Sequence, residues 1–309
     1  MNLQENIVLR DHSTFRLGGP ARFFVAAHTT EDLRQALLWA RKKKSTYFIL
    51  GGGSNLLFSD KGFNGLVIKP QLLQLSFTGT DVTVGATVAL SKLISRTLDR
   101  KLTGLEFAAG IPGTVGGAIR GNAGTYGVSM SDVLTSITYL DEATFNAVTL
   151  SAAQCGFAYR HSMFKLHTHS IVEAHLTLKN GDVEASRKII TDRIALRHQS
   201  HPLEPSAGCI FKNVEFDRVD LQQLATKDID LSRFEQYRKI PSGYLIERLG
   251  LKGKRIGGAM ISPKHANYII NVGSATSEDV VTMVSFIKQQ VRDAYGIQLE
   301  EEVQIVPES

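Results

Sequence analysis

A cysteine that could do chemistry lies in the stretch PSAGCIFKN, residues 205–213. Cys209 follows a glycine and precedes Lys212 and Asn213, a context typical of a loop. A thiol in such a place can pack, bind a metal, act as a nucleophile or donate a proton, and a nearby cation favours its thiolate form. The residue types by themselves leave these four roles open.

Two further stretches carry charges that could act on a reacting group. Arg160 follows Tyr159 in CGFAYRHSMFK, and Glu302 stands in LEEEV near the end of the chain. If the first stretch is a strand, Tyr159 and Arg160 face opposite sides, and Arg160 shares a side with Ser162. An inward arginine would need an anion as its partner. For Arg160 the sequence slightly favours a surface salt bridge instead. For the acids of LEEEV it favours a solvated charged edge, and at most one of these acids needs to point inward.

Two glycine-rich stretches predict a place where a ligand approaches the backbone. Residues 51–55, GGGSN, follow a strand, and their N–H groups and polar side chains favour phosphate binding over a tight turn. This stretch is neither a Walker loop, because the Gly-Lys-Ser/Thr ending is missing, nor a Rossmann fingerprint, because no long helix follows. Segment 104–127 has eight glycines among its 24 residues. It could be a second wall of the same site, against a flat aromatic cofactor, or an irregular packed loop.

The other residues that commonly bind metals do not predict a metal site. His161, His167, His169 and His175 lie in a strand-rich region, but no cysteine or carboxylate stands at a matching spacing. We therefore expect exposed strand histidines and no metal. The second cysteine, Cys155, precedes an aromatic-rich stretch and is expected to be a buried structural thiol.

Helices and strands must position these residues. The apolar periodicity predicts helices at 29–43, 88–101, 183–199, near 241–249 and at 276–295. Thr29 with Asp32 predicts a capping box, and Gly296 is expected to end the last helix. A linker is predicted around residues 201–205. Predicted strands lie at 47–50, 65–69, 82–86, in three stretches of 133–178, near 256–262, near 267–272 and in EVQIV at 302–306.

The composition is that of an ordinary soluble globular protein. The chain has 309 residues, 43% hydrophobic and 21% charged, enough for two or three domains. No apolar run is long enough to span a membrane, and the first residues do not form a secretory signal. Two cysteines make no disulfide framework, so a reducing cytoplasm is expected. The net charge of +5 is compatible with anionic cofactors or substrates, and RKKK at 41–44 is expected to end a helix and not to bind nucleic acid.

Eight stretches, in chain order, resemble motifs of one enzyme family, the UDP-N-acetylenolpyruvoylglucosamine reductases (the MurB family). They are STFRLGGPARFF (13–24), ILGGGSNLL (49–57), GLEFAAGIPGTVGGAIRGNAG (104–124), FAYRHSMFK (157–165), PSAGCIFKN (205–213), PSGYLIERLGLKGKRIGGAMIS (241–262), KHANYIIN (264–271) and LEEEV (299–303). The resemblance covers nearly the whole chain. The modest length is similar to that of the shorter type, which lacks a tyrosine-bearing substrate loop.

The resemblance implies an α+β fold and a reaction. A vanillyl-alcohol-oxidase-like (PCMH-type) FAD-binding fold of two subdomains, residues 1–70 and 71–200, would precede a UDP-sugar-binding α+β domain, residues 201–299. The terminal strand, residues 300–309, would return near the active site. The implied activity is the NADPH-dependent, FAD-mediated reduction of UDP-N-acetylglucosamine enolpyruvate to UDP-N-acetylmuramate in peptidoglycan synthesis. A cytoplasmic monomer without nucleic-acid or membrane partners is expected.

The resemblance also implies roles for individual residues. Hydride adds at C3 of the enol ether, Arg160 and Glu302 stabilise the resulting enolate, and Cys209, where many members carry serine, gives C2 its proton. A thiol is a stronger acid than a hydroxyl, but a nearby cation could leave it deprotonated at higher pH. The implied cofactor contacts are Gly51, Gly52, Gly53, Ser54, Asn55, Gly110, Ile111, Pro112, Gly113, Gly117, Gly121, Asn122, Ala123 and Gly124. The implied substrate contacts are Tyr159, Gly208, Lys212, Asn213, His265 and Asn267.

Three other functions stay open. A different flavin-dependent oxidoreductase of the same cofactor fold would not need the cysteine motif paired with a terminal acid. A cysteine hydrolase would need a base, and His201 is the nearest candidate, although nothing in the sequence fixes its geometry. A non-catalytic UDP-sugar-binding protein would not need Arg160, Cys209 and Glu302 together.

Overall fold

The computed structural model describes residues 1–227 and 229–308, so Asp228 and Ser309, the last residue of the predicted terminal segment, lie outside the described residues. The described strands form three sheets of four or five strands and several two-stranded pairs. They are β1 (Gln4–Val8), β2 (Pro20–Ala27), β3 (Tyr47–Ile49), β4 (Leu56–Phe58), β5 (Phe63–Pro70), β6 (Leu75–Thr78), β7 (Asp81–Gly85), β8 (Leu102–Thr103), β9 (Gly124–Thr125), β10 (Val128–Ser129), β11 (Leu134–Leu140), β12 (Ala147–Ser151), β13 (Ser170–Thr177), β14 (Lys179–Asn180), β15 (Ser206–Cys209), β16 (Val214–Glu215), β17 (Lys239–Ile240), β18 (Arg255–Ile256), β19 (Ala259–Ile261), β20 (Tyr268–Asn271) and β21 (Gln304–Val306).

The five predicted helices are confirmed to within two residues at each end. The capping box at Thr29 and Asp32 is present, and Gly296 ends the last helix in the left-handed conformation. Two short helices are not predicted from the sequence: Val115–Arg120, inside the glycine-rich segment, where low helix propensity hides it, and the five-residue helix Leu221–Ala225. The α-helices are α1 (Thr30–Lys42), α2 (Leu90–Asp99), α3 (Val115–Arg120), α4 (Val183–Ser200), α5 (Leu221–Ala225), α6 (Ser242–Arg248) and α7 (Ser277–Tyr295).

The N-terminal sheet has the order β1-β2-β5-β3, and β5 is parallel to both β2 and β3. Helix α1 connects β2 to β3 and buries Leu33, Ala36, Leu37 and Ala40, which share one face of the helix. Strands β2 and β3, with α1 between them, form a βαβ unit. The stretch GGGSN follows the carboxyl end of β3, so this loop lies at the end of the sheet where β3 stops.

The second sheet, β12-β11-β13-β7-β6, is antiparallel and packs against α2 and α3. Cys155 is fully buried in this core, with its thiol directed at Ser151 O. The predicted structural role of that cysteine is therefore confirmed. The turn that carries Arg160 follows it along the chain.

The third sheet, β15-β20-β19-β18, packs against α6 and α7. Phe15, Leu17 and Leu57 from the N-terminal part insert into its core, and β21 pairs in parallel with β4. The end of the chain thus returns to the N-terminal region. The predicted boundaries at residues 70 and 200 stay predictions. None of the described helices is long and apolar enough to cross a bilayer.

Candidate active site

Arg160 and Glu302, two of the three predicted catalytic residues, form an inward ion pair. Arg160 Nε lies 2.8 Å from Glu302 Oε1, and the two side chains are 22% and 21% exposed. Burial alone would lower the pKa of Arg160, but the Glu302 carboxylate and Tyr159 outweigh burial and raise it. The Nε atom is buried and makes no aligned hydrogen bond to another described residue. The surface salt bridge that the sequence slightly favoured is therefore wrong.

Arg160 is held in a tight turn, not in the strand considered from the sequence. Ala158 and His161 exchange backbone hydrogen bonds of 3.2 and 3.1 Å, and Arg160 has a φ of +51°. A non-glycine residue in this region costs about 1–3 kcal/mol, so its surroundings must hold it there. Arg160 Nη1 donates to Gly124 O at 3.0 Å, and buried Asn122 donates to Ala158 O at 3.1 Å. The glycine-rich segment thus fixes the arginine.

Glu302 reaches the site because the end of the chain is tied to two distant segments. Glu302 N donates to Ile210 O at 2.7 Å, and Asn55 Nδ2 donates to Glu302 O at 3.0 Å. The neighbouring Glu300 and Glu301 pair with lysines instead. One of the three acids points inward, which is the most that the sequence required.

Cys209 faces the site from β15. This strand pairs with β20, which places Cys209 opposite Tyr268, whose hydroxyl lowers the pKa of the thiol. Gly208 has a φ of +78°, and a Cβ there would meet no atom within 4 Å, so the backbone beside the thiol is open to a ligand. Burial raises the pKa of Cys209 to about 12, with the Glu302 carboxylate as the second cause, and nearby arginines offset this only in part. The thiol is therefore protonated at neutral pH.

The cation that was expected to ionise Cys209 pairs with another residue. Lys212 Nζ binds Glu300 Oε2 at 3.0 Å, and Arg218 binds the other oxygen of the same carboxylate. Lys212 is not among the groups that shift the pKa of Cys209. The expectation that Lys212 favours the thiolate is wrong, because the lysine has a nearer anion.

Three of the predicted substrate contacts are held in place by neighbouring side chains. Tyr159 Oη accepts a hydrogen bond from Asn213 N at 3.1 Å, and Lys239 Nζ lies 4.5 Å from the Tyr159 ring centroid. His265 packs against Tyr268, the residue opposite Cys209, with 5.0 Å between ring centroids.

Asn267 has a structural role that the sequence did not reveal. It is 3% exposed; its Oδ1 accepts from Phe211 N at 3.0 Å, and its Nδ2 donates to Phe211 O at 2.8 Å. The amide therefore holds the segment that follows Cys209. This geometry contradicts the predicted contact between the Asn267 side chain and a substrate, because both ends of the amide are bonded to the chain.

The two glycine-rich stretches lie against each other. A Cβ at Gly52 would lie 2.9 Å from Gly113 Cα, and a Cβ at Gly113 would lie 2.8 Å from Ser54 Oγ. Ser54 Oγ donates to Pro112 O at 3.1 Å. Of the two interpretations of segment 104–127, the structure thus supports the second wall. Glycine is required at Gly52 because a Cβ would meet the backbone of Gly113, and at Gly113 because its φ of +120° strains any other residue.

These walls offer unpaired backbone donors. The N–H groups of Gly51, Gly52, Gly53, Ser54 and Gly113 donate no hydrogen bond to any other described residue. Backbone donors need partners, and successive N–H groups form a concavity that binds anions. The residues present therefore fit the diphosphate of a dinucleotide such as FAD.

Several side chains predicted to contact the cofactor bond to the protein instead. Asn55 donates to Glu302 O and Ser54 to Pro112 O, so neither side-chain donor points at a phosphate in this arrangement. Asn122 bonds to Ser131 and Ala158. At Gly117 and Gly121, an added Cβ would make only ordinary contacts, at 3.5 and 3.6 Å, so glycine there is not required by chain packing. The remaining predicted contacts on the same segment are Gly110, Ile111, Ala123 and Gly124.

An open cleft of about 750 Å³ joins the glycine walls to the cysteine strand. A ligand lying along the walls would therefore extend to the space beside Gly208 and the thiol. The charged side chains of Arg16, Lys69 and Arg197 make the cleft favourable for anions. Lining residues of the two sides include Gly52, Ser54, Gly110, Pro112, His201, Gly208 and Tyr268.

Three residues of this region were not predicted from the sequence. Burial lowers the pKa of Lys165 to about 8, although the Glu302 carboxylate acts in the opposite direction. Arg197 lines the cleft from the last turn of α4, and Tyr268 faces Cys209. Lys165 and Tyr268 stand within the stretches FAYRHSMFK and KHANYIIN, and Arg197 is a basic residue directly before the predicted linker. Their positions in or beside these stretches were the features of the sequence that could have identified them as site residues.

A carboxylate does join two of the four histidines, contrary to the expectation from spacing. Ligand atoms of Glu142, His167 and His169 lie within 4.8 Å of one another. His167 Nδ1 is 3.0 Å from Glu142 Oε1, and Glu142 N donates to His169 Nδ1 at 3.0 Å. These contacts tie the loop before β13 to the end of β11, and we assign them to the structure of that loop.

Comparison with known families agrees with this architecture. Residues 21–151 match the family model described as an FAD binding domain. Residues 199–306 match the model described as the C-terminal domain of UDP-N-acetylenolpyruvoylglucosamine reductase. The predicted fold class, an FAD-binding fold followed by a C-terminal α+β domain, is confirmed.

Relatives match over nearly their whole length. A UDP-N-acetylenolpyruvoylglucosamine reductase of Protochlamydia amoebophila is 39% identical over 98% of this chain and 94% of its own. One of Alkaliphilus oremlandii is 38% identical over 97% of this chain and 92% of its own. The crystal structure of UDP-N-acetylenolpyruvylglucosamine reductase (MurB) from Thermus caldophilus superposes with a TM-score of 0.79 at 30% identity, covering 99% of this chain and all of that one. The chain belongs to the UDP-N-acetylenolpyruvoylglucosamine reductase family of flavin oxidoreductases.

Proposed function

We propose that this protein reduces UDP-N-acetylglucosamine enolpyruvate to UDP-N-acetylmuramate with FAD as cofactor and NADPH as hydride source. The observation that carries the proposal is the meeting of a protonated thiol with the Arg160–Glu302 pair at the end of a cleft lined by glycine walls. The family membership supports the substrate, a place in peptidoglycan synthesis and a cytoplasmic location. We further expect a monomer.

The glycine walls would hold FAD through the unpaired N–H groups of residues 51–54 and of Gly113. Bound there, FAD supplies a carrier that accepts a hydride from NADPH and delivers it to C3 of the enolpyruvyl group. Gly117 and Gly121 leave backbone exposed on the second wall, where a flat ring system can approach.

Arg160 and Lys165 would stabilise the enolate that forms when C3 gains a hydride. Negative charge then develops at C2 and on the adjoining carboxylate of the substrate. Arg160 Nε faces Glu302 Oε1 at 2.8 Å and Nη1 donates to Gly124 O, so the guanidinium is held in a fixed position beside the site. Fixed donors aimed at developing charge contribute strongly to catalysis because they need no reorganisation during the reaction. Glu302 holds the guanidinium in place through the ion pair.

Cys209 would donate the proton that C2 requires. Its raised pKa keeps the proton on sulfur at neutral pH, and the open space beside Gly208 lets the substrate come within reach. A cysteine hydrolase would need the opposite state, a thiolate prepared by a base. The pKa of His201 is lowered to about 4 by burial, by His265 and by Arg197, and its Nδ1 faces Tyr268 and not the thiol.

Tyr159, Gly208, Lys212, Asn213 and His265 are the proposed contacts to the sugar nucleotide. Arg197 and Lys69 add positive charge along the cleft, which suits a nucleoside diphosphate. Asn267 is left out of this set because its amide is bonded to Phe211.

The test separates the two half-reactions. The purified protein, reconstituted with FAD, is expected to bleach its flavin absorbance with NADPH and to regain it on addition of the enolpyruvyl sugar nucleotide. Cys209→Ala should keep the first step and slow the second by about 100-fold or more, whereas Cys155→Ala, at the buried structural cysteine, should match the parent in both. A protein that oxidises NADPH equally without the substrate would point to a different flavin oxidoreductase.

A further inference from the structure

The thiol of Cys209 is connected to the cleft through two further side chains. Tyr268 stands opposite Cys209 on β20, and each of the two side chains shifts the pKa of the other. On its other side, Tyr268 Oη lies 2.7 Å from His201 Nδ1. His201 follows the last turn of α4, is half-buried, and lines the cleft with Tyr268. Sulfur, phenol and imidazole therefore form a continuous chain from the reacting position to the cleft.

We propose that Tyr268 and His201 form a relay that returns a proton to Cys209 after each turnover. This inference rests on the proposed function, because it assumes that Cys209 gives its proton to substrate C2. Each catalytic cycle then leaves a thiolate that must be protonated before the next one.

The alternative donors near Cys209 are occupied. Lys212 Nζ is bonded to Glu300, and Glu302 is paired with Arg160. The remaining charged groups near the chain are Arg197 on α4 and His265 before β20. Among the described groups, two phenols interact with the thiol: Tyr268, opposite it on β20, and Tyr159, whose oxygen accepts a hydrogen bond from Asn213 N. Of the two, Tyr268 is the phenol with a side-chain partner, His201, that can resupply its proton.

The relay step balances without an added reactant. The Tyr268 O–H bond breaks as an S–H bond forms on Cys209. The His201 Nδ1–H bond breaks as the phenol regains its proton, and Nε2 takes a proton from water in the cleft. The net change is one proton from solvent to sulfur with no change of oxidation state, and His201 changes tautomer while staying neutral.

The ionisation states fit such a relay. Burial, with Cys209 as the second cause, raises the pKa of Tyr268, and burial lowers the pKa of His201 to about 4. Both groups are therefore neutral at neutral pH, so they can pass a proton on without storing charge beside the buried thiolate.

The decisive experiment compares the first and second turnovers of Tyr268→Phe in the FAD-loaded enzyme. Pre-reduced enzyme is mixed with one equivalent of substrate, reduced again with NADPH after a variable delay, and mixed with substrate a second time. The first turnover should slow several-fold at most, because Cys209 starts with its own proton and loses only the influence of Tyr268 that lowers its pKa. The second should recover only with a delay at least about tenfold longer than in the parent.

Two further variants test the second link of the relay and serve as a control. His201→Asn should show the same delayed recovery, and Tyr47→Phe, which removes a hydroxyl bonded to Thr168 elsewhere, should behave like the parent. If Tyr268→Phe recovers as fast as the parent, the relay is refuted. Equal slowing of both turnovers would also refute it, because that pattern indicates a positioning effect alone.

A second measurement needs neither FAD nor substrate. In a Cys155→Ala background, the rate of alkylation of Cys209 by iodoacetamide reports its thiolate fraction. Tyr268 lowers the pKa of Cys209, so Tyr268→Phe should slow alkylation several-fold at a given pH. Equal rates would show that the first link of the relay is absent. Failure of the proposed function would appear separately, as a parent enzyme that does not reduce the enolpyruvyl substrate.

Discussion

The glycine walls offer backbone atoms to a ligand, whereas the catalytic cluster offers side chains. The walls, residues 51–55 and 110–124, present backbone and depend on the absence of side chains. The cluster of Arg160, Cys209 and Glu302 depends on three side chains from three separate segments. Glycine spacing indicates where backbone could be exposed to a ligand. The state of a charged or titratable side chain depends on what the rest of the fold places around it.

Arg160→Met breaks the cluster and removes from the walls only the hydrogen bond to Gly124 O, at their far end. It removes the cation that stabilises the enolate, so we expect the oxidation of the reduced enzyme by substrate to slow by about 100- to 1000-fold. The affinity for FAD, measured by fluorescence titration, should not change. Arg22→Met, at an exposed arginine bonded to Asn64, is the control. Loss of FAD binding in Arg160→Met would mean that the two regions are not separable.

Gly113→Ala breaks the walls and leaves the cluster intact. The added Cβ would lie 2.8 Å from Ser54 Oγ, and we expect the affinity for FAD to fall about tenfold or more. Gly104→Ala is a matched control, because Gly104 has φ +117° against +120° for Gly113 and its nearest contact is at 3.7 Å. Both variants should lose about 1–3 kcal/mol of folding stability. Equal losses of FAD affinity would remove the special role of the wall.

Lys165 is expected to make substrate binding at the cluster depend on pH. A lysine with a pKa of about 8 is charged below that pH and neutral above it. Raising the pH from 7 to 9 should therefore remove a positive charge near the substrate carboxylate and raise KM about tenfold at most. In Lys165→Arg the charge persists, so KM should stay flat over this window. Identical pH profiles in the two proteins would exclude Lys165. Cys209, with its pKa near 12, should not contribute below pH 10.

Asn55→Ala tests the point where the two regions meet. Asn55 belongs to the first wall, but its amide donates to Glu302 O. Removing one hydrogen bond of about 1 kcal/mol should slow the second half-reaction about fivefold and leave NADPH reduction of the flavin unchanged. Asn64→Ala, at an exposed amide, is the control. A loss of FAD affinity alone would return Asn55 to the predicted cofactor contacts.

Much of the local structure could be predicted from the sequence because it depends on neighbours along the chain. The periodic apolar residues of α1, its capping box at Thr29, and Gly296 after α7 each gave the observed element. Helix α3 was missed because glycine hides it from propensity. The turn at Arg160 was missed because its left-handed conformation is maintained by contacts with Gly124 and Asn122.

The sequence by itself determined which residue types are available: two glycine walls, one thiol outside the core, an arginine and a terminal glutamate in motifs that resemble one family. Tertiary structure decided what those residues can do. In the folded chain Arg160 points inward and pairs with Glu302, one of three neighbouring acids. Lys212 pairs with Glu300, and burial raises the pKa of Cys209. The physical reason is that desolvation and Coulomb interactions sum over atoms close in space, and here those atoms come from segments far apart in the chain.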